Sequence, residues 1–272
     1  AAFVSAVSTF LSKNKKLNGS ISLLITGDEE GDAVNGTKKV VEYLKKRKEK
    51  INFCLVGEPT NPNKLGEMIK IGRRGSITGK IKIIGEQCHV AYQHRGNNPS
   101  TTIVQILKEI KDIKFDKGNK HFQPTNLEVT KINIENDADN VIPGSAEATF
   151  NIRFNNRHSS NSIKRRLNKI FKKITRKNKS KFKIDYRVSG EAFLTKPNKT
   201  TFMIQNTIKK ITKLKPKLST TGGTSDLRFI RKISPGLEFG LVGKTMHKVN
   251  EAVSLKDLKK LTKIYSKILD NY

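Results

Sequence analysis

"ISLLITGDEEG", residues 21–31, sets three acids, Asp28, Glu29 and Glu30, directly behind a short apolar run. An apolar block of this length, bounded by glycine, reads as a buried strand over 21–26 that hands over to a loop. Before it, Ala2, Phe3, Ala6, Val7, Phe10 and Leu11 recur at helical spacing, and a further helical pattern covers 37–49. A second apolar strand, 51–57, ends in "GEPT" and carries Glu58 just past its end. Strands alternating with helices predict a mainly parallel sheet flanked by helices, an α/β architecture. Ligands of such sheets gather at the carboxyl ends of the strands. Glu29, Glu30 and Glu58 are therefore expected on one rim.

From about residue 75 the pattern changes. "SITGKIKIIG" is a strand with turn glycines, followed by a helix near 99–113, the strands "TNLEVTKINIE" and "SAEATFNIRFN", a basic helix over 161–177, and the strand "KFKIDYRVS". Strand, helix, two strands, helix, strand is the α+β order of a four-stranded, ferredoxin-like sheet with two helices on one face. After about residue 188 the α/β style returns, with a helix near 200–213, the loop "TTGGTSD", the strand "GLEFGLV" and a helix over 254–270. The expected organisation is thus a catalytic domain from 1–74 and 188–272, interrupted by an inserted domain at 75–187.

Lys and Arg total 54 against 24 acids in 272 residues, a formal charge of +30. Such a balance raises nucleic-acid or anionic-surface binding. The lysines fall mostly on helical stretches, however, and no zinc-finger, helix-turn-helix or aromatic stacking motif accompanies them. The charge reads as solvated helix faces, with no specific nucleic-acid partner. Two cysteines, Cys54 and Cys88, provide no disulfide framework and fit a reducing, cytoplasmic setting. No apolar run approaches a membrane span. A core-facing helix at the very start, without an initiating Met, suggests that the chain begins inside a domain.

Three acids at a strand end suggest metal ligation, acid–base work or a helix N-terminus. A cap uses one acid, so metal and catalysis both stay open. His247, in "GKTMHKVNE", follows the strand "LEFGLV". A lone His is more often an ordinary surface or core residue; joined to carboxylates at strand ends it makes a site suited to Zn²⁺ or a similar ion. His89, in "CHVAY", lies in the inserted part, where it is structural or reaches a site from a lid or second subunit; His94 shares the ambiguity, and His121 and His158 have no motif around them. Arg73 and Arg74, in "GRRGS", follow a strand, where a guanidinium fork can take a carboxylate. Arg153 is unusual in the apolar strand "NIRF" and calls for an acid partner or a cleft. "TTGGTSD" lets a backbone approach a ligand but is no nucleotide fingerprint. Cys54, mid-strand, reads as core.

Taken in order, "LLITGDEEG", "VGEPTNP", "MIKIGRRGSITG", "HVAY", "NVIP", "NIRFN", "STTGGTSD" and "FGLVGKTMH" resemble the succinyl-diaminopimelate desuccinylases of the M20 metallopeptidase family, through nearly the whole chain. The resemblance implies a zinc-peptidase-like catalytic domain with an inserted dimerisation lid, and two zinc ions (or cobalt) per subunit. It makes Glu29 the general base, Glu30, Glu58 and His247 metal ligands, and His89 a group that reaches across a homodimer to steady the oxyanion. Arg73, Ser76, Asn140, Arg153, Gly223 and Thr224 match positions that bind substrate. The implied reaction is hydrolysis of the succinyl amide of N-succinyl-LL-2,6-diaminopimelate to succinate and LL-2,6-diaminopimelate, in lysine biosynthesis.

Three departures accompany the resemblance. Cys88 stands where the family has Gly, Gln93 stands where it has Pro, and the family's upstream HTD-type motif and bridging Asp are not in this sequence. The expectation is that the longer parent is the enzyme and that this fragment, with three of five protein ligands, is inactive alone. Alternatives are another M20 amidohydrolase, such as acetylornithine deacetylase, or a basic nucleic-acid-binding protein.

Overall fold

The computed structural model describes residues 1–13, 18–31 and 33–272. In chain order these form α1 (Ala2–Lys13), α2 (Thr37–Lys46), β1 (Cys54–Val56), β2 (Met68–Lys70), β3 (Gly72–Arg73), β4 (Gly75–Ile84), β5 (Cys88–His89), α3 (Pro99–Lys111), β6 (Asn126–Asn133), β7 (Val141–Ile142) and β8 (Ser145–Phe154). They continue with α4 (Ser160–Lys177), β9 (Lys181–Gly190), β10 (Phe193–Leu194), α5 (Lys199–Thr212), β11 (Lys217–Ser219), α6 (Leu227–Ile230), β12 (Gly236–Glu238) and α7 (Leu255–Asn271). Two compact units result: Ala1–Arg73 with Leu194–Tyr272, and Arg74–Phe193. Strand β9 runs on to Gly190, past the residue 187 expected as the end of the insertion.

In the first unit the sheet order is β1-β12-β2-β11. The outer pairs, β1 with β12 and β11 with β2, are parallel, while β12 and β2 meet antiparallel, so the sheet is mixed. Ile69, Ile71, Leu237 and Phe239 are buried with Ile204 and Ile208 of α5 and Leu261, Ile264 and Ile268 of α7. The apolar stripe of α1 joins this core through Ala6, and the Phe3 ring stacks on Tyr265 at 4.2 Å. The expected strand over 21–26 does not form. Among the described residues it has no neighbouring strand to complete its backbone hydrogen bonds, and Leu23, Leu24 and Ile25 stand exposed, Ile25 at 80%.

The second unit is a four-stranded antiparallel sheet, order β6-β8-β4-β9, with α3 and α4 packed against it. Its logic is period two against period 3.6. Along β8, Ala146, Ala148, Phe150, Ile152 and Phe154 point inward while the residues between them are partly exposed. Ile163, Leu167 and Phe171 of α4 and Ile103, Ile106 and Ile110 of α3 complete the core from the helix side. Ser159 caps α4 in a reciprocal capping box with Ser162, which fixes where that basic helix begins. Among the described residues no helix is long and apolar enough to cross a membrane.

Candidate active site

The acid cluster at 28–30 divides into three roles. Asp28 folds the loop. Its Oδ2 accepts the amides of Val34 at 2.6 Å and Asn35 at 2.7 Å, and its carbonyl accepts that of Ala33 at 3.1 Å. These bonds, the Asn35 amide foremost, hold its carboxyl below the usual aspartate range. Glu29 is half-buried, and its proton affinity is raised by desolvation and then by the negative charges of Asp226 and Glu30. Glu30 is exposed, with Oε2 3.9 Å from Nε2 of His247.

Glu58 follows β1, as its strand-end position requires. Burial pushes its carboxyl up to about 7, helped by the charges of Glu238 and Glu29, with Arg73 pulling the other way. Glu29 and Glu58, 29 positions apart in the chain, therefore share one electrostatic field. Two further acids belong to it that the sequence reading did not single out. Asp226, the last residue of "TTGGTSD", is buried, and its Oδ1 has no hydrogen-bond partner among the described residues. Glu238, at the end of β12, is fully buried and holds both the Arg73 guanidinium and the Ser225 hydroxyl. The signal for both was strand-end or loop placement beside "LEF" and "TSD", the same cue that pointed to Glu58.

His247 sits in the left-handed region at φ 59°, in a loop tied across by the Thr245 hydroxyl, which donates to the Ala252 carbonyl at 2.8 Å and accepts its amide at 3.1 Å. His is among the residues that tolerate that backbone.

The donor set of Glu30, Glu58 and His247 has the oxygen and nitrogen chemistry of a divalent-metal centre, and the orphaned Asp226 oxygen with two carboxyls of raised proton affinity marks a place where positive charge is wanted. The fit is incomplete in number. Among the described residues no group of three or more His, Cys, Asp or Glu side chains is close enough together to hold a metal ion. Glu30 and His247 approach as a pair, and Glu58 contributes through the field.

Arg73 is buried, its Nε and Nη2 bound to Glu238 and its Nη1 donating to the Thr221 carbonyl at 3.3 Å. Beside it runs the loop that carries Gly223 and Thr224. Gly222 adopts φ +106°, and a side chain there would meet the Arg73 guanidinium 2.4 Å away, so glycine is required. Gly223 faces open space.

The other candidates lie in the second unit. Strand register sets Asn126, Arg153, Ser76 and Gly190 in one row across β6, β8, β4 and β9. Arg153 has no carboxylate partner among the described residues; its Nε donates to Asn151 Oδ1 at 3.0 Å. Arg74 donates to Asn126 Oδ1 at 2.8 Å, and its Nε is buried without a partner. The β5–β7 pair matches His89 with Val141, and the Val90 amide donates to the Asn140 carbonyl at 3.0 Å, so His89 and Asn140 are brought together. His89 is exposed, and its Nδ1 accepts the Ala91 amide at 3.1 Å, which leaves the ring proton on Nε2. Cys88 rests against Gly96 and leaves His89 in ordinary extended backbone, φ −68° and ψ 135°. His158 pairs with Asp116 at 3.0 Å, a bond within the second unit. Cys54, expected in the core, is only partly buried in β1, and burial pushes its thiol up to about 11.

A model of peptidase family M20/M25/M40 matches residues 1–271. The succinyl-diaminopimelate desuccinylase of Pelagibacter ubique strain HTCC1062 is 78% identical over 272 residues, all of this chain and 71% of that protein. The enzyme of the same name from Wolbachia pipientis wMel is 43% identical over 272 residues, covering 100% of this chain and 67% of that protein. Among solved structures, a tripeptidase from Staphylococcus aureus aligns with TM-score 0.79 at 17% identity, over 99% of this chain and 68% of its own. A dinuclear metal-binding M20 peptidase of Bacillus subtilis aligns with TM-score 0.70 at 12% identity, over 98% and 69%. At these identities the structures speak for the fold.

Proposed function

Because the chain belongs to peptidase family M20/M25/M40, we propose that it serves as a succinyl-diaminopimelate desuccinylase, hydrolysing the succinyl amide of N-succinyl-LL-2,6-diaminopimelate to succinate and LL-2,6-diaminopimelate. The observation that carries this reading is the 78% identity, over the whole chain, to a relative of that name. The reaction belongs to cytoplasmic lysine and diaminopimelate synthesis.

Glu29 acts as general base. It takes the proton of the attacking water and returns it to the departing amine. Partial burial and acidic neighbours raise its proton affinity, which suits a carboxylate that must accept a proton and give it back. Glu30, Glu58 and His247 would hold part of a two-zinc centre, with cobalt as the alternative metal. When bound, such ions acidify water and polarise the amide carbonyl. The described residues supply too few ligands to close that centre.

His89 serves the oxyanion in a homodimer formed through the second unit, with its Nε2 proton as donor. Its Nδ1 contact with the Ala91 amide supports that tautomer. Arg73, Ser76, Asn140, Arg153, Gly223 and Thr224 bind the substrate. Cationic and amide donors suit a ligand with several carboxylates. Comparing turnover of N-succinyl-LL-2,6-diaminopimelate and acetylornithine by the assembled enzyme tests the reading; faster acetylornithine turnover would replace it with a deacetylase.

A further inference from the structure

Lys70 is a buried lysine that none of the proposed steps uses. It lies 6% exposed at the end of β2, in register with Glu238 of β12 on one side and Ser219 of β11 on the other. Taking an ammonium out of water is costly, and a carboxylate contact is the usual compensation. Lys70 makes no salt bridge among the described residues; its Nζ instead donates to the Thr221 hydroxyl at 2.6 Å and reaches the Ser219 hydroxyl at 3.5 Å and the Met68 sulfur at 2.8 Å. Burial, and then the Arg73 charge, lower its proton affinity to about 8, while Glu238 works in the opposite direction.

The contacts converge on one residue. Thr221 is held by its hydroxyl from Lys70 and by its carbonyl from Arg73, and its amide donates to the Ser219 hydroxyl at 3.1 Å. Four residues later the Ser225 hydroxyl is fixed by Glu238, the same carboxylate that holds Arg73. Both ends of the 221–225 segment are thus tied to a buried polar row across the sheet, while Gly222 and Gly223 between them are exposed.

We propose that Lys70 is a positioning residue. With Arg73 and Glu238 it locks Thr221 and Ser225, so that the Gly223 amide and the Thr224 hydroxyl present a fixed edge to a substrate carboxylate. The last clause rests on the substrate-binding role proposed above for Gly223 and Thr224; the clamp itself does not.

Amide hydrogen exchange of the 272-residue chain, wild type against Lys70→Met, tests the clamp. Lys70→Met keeps the side-chain length and removes the charge and its three donors. The expected result is exchange at 221–225 faster by about tenfold with the rest of the chain unchanged, since only local opening is affected. Thr221→Val removes the acceptor and leaves Lys70 in place. It carries the test if Lys70→Met fails to fold, and it should give the same local acceleration, with no further gain in the double variant. Unchanged exchange at 221–225, or acceleration spread over the whole first unit, overturns the proposal. Succinate, titrated by nuclear magnetic resonance at the Gly223 amide, separates the two layers. Binding weakened about tenfold in the variants supports the full inference. A loosened loop with unaltered succinate affinity keeps the clamp and removes the carboxylate edge.

Discussion

His247 Nε2 lies 3.9 Å from Glu30 Oε2, and both side chains face water. As an ion pair in solvent such an arrangement contributes little. As metal ligands the two are a beginning, since catalytic zinc sites take about three protein ligands per ion. The 272-residue chain, purified and dialysed, is therefore expected to keep less than about one zinc ion per chain. Elemental analysis of the dialysed protein checks this. Two firmly held zinc ions would mean that the chain closes the centre with residues other than those named.

Glu29→Gln keeps the size and polarity of the side chain and abolishes its basicity. In the assembled enzyme kcat should fall about 10²- to 10⁴-fold while KM stays within a small factor, as expected for a group that acts on the proton in flight. Steady-state kinetics on the succinylated substrate provide the measurement. A loss confined to KM would make Glu29 a binding residue.

Glu58 makes the metal-free chain sensitive to pH. Its carboxyl is raised from an ordinary 4.5 to about 7 in the folded state, so between these values the folded chain binds a proton that the unfolded chain has released. Stability contributed by this group is present below about 4.5 and is lost as pH rises through about 7. After discounting for solvent screening at a half-buried site, the loss is about 1–2 kcal/mol. Urea denaturation between pH 5 and 8 should show the slope, and Glu58→Gln should flatten it. As the metal ligand proposed above, Glu58 would give up the same proton on binding, and zinc affinity is then expected to climb over that interval.

The second unit was the more legible in the sequence. Its strands alternate with period two around a closed core, and Ala146 to Phe154 announce their inward face without outside help. The first unit was harder for a physical reason. "ISLLIT" reads as a strand because its composition is right, but a strand needs a neighbour, and Leu23 to Ile25 have none among the described residues. Strand β11, at Lys217–Ser219, went unread because three residues between a helix and a loop show no period. For the site, the expectation of strand-end placement singled out Glu58, Glu30 and His247; Glu58 follows β1, while Glu30 follows a stretch that forms no strand and lies 3.9 Å from His247. The same cue did not separate Asp28, which closes the loop, from its neighbours, because that role depends on the amides of Val34 and Asn35 folding back. Lys70 was invisible for a similar reason: a charged residue in an apolar strand gives no sign of the loop that it holds until register places it beside Glu238.

Cys88 stands immediately before His89, and the room for it comes from Gly96. A side chain at Gly96 would meet Cys88 Sγ at 2.4 Å, the Glu86 carbonyl at 2.7 Å and Cys88 Cβ at 2.9 Å. Gly96→Ala should therefore destabilise the chain by about 1–3 kcal/mol, the usual range for overpacking a close contact. Cys88→Gly in the same background removes the two sulfur-side contacts and leaves that with the Glu86 carbonyl, so part of the loss, and not all of it, should return. Urea denaturation of the two single variants and the double variant measures the coupling directly. Additive losses would show that Gly96 answers to the Glu86 backbone alone and that the thiol is accommodated elsewhere.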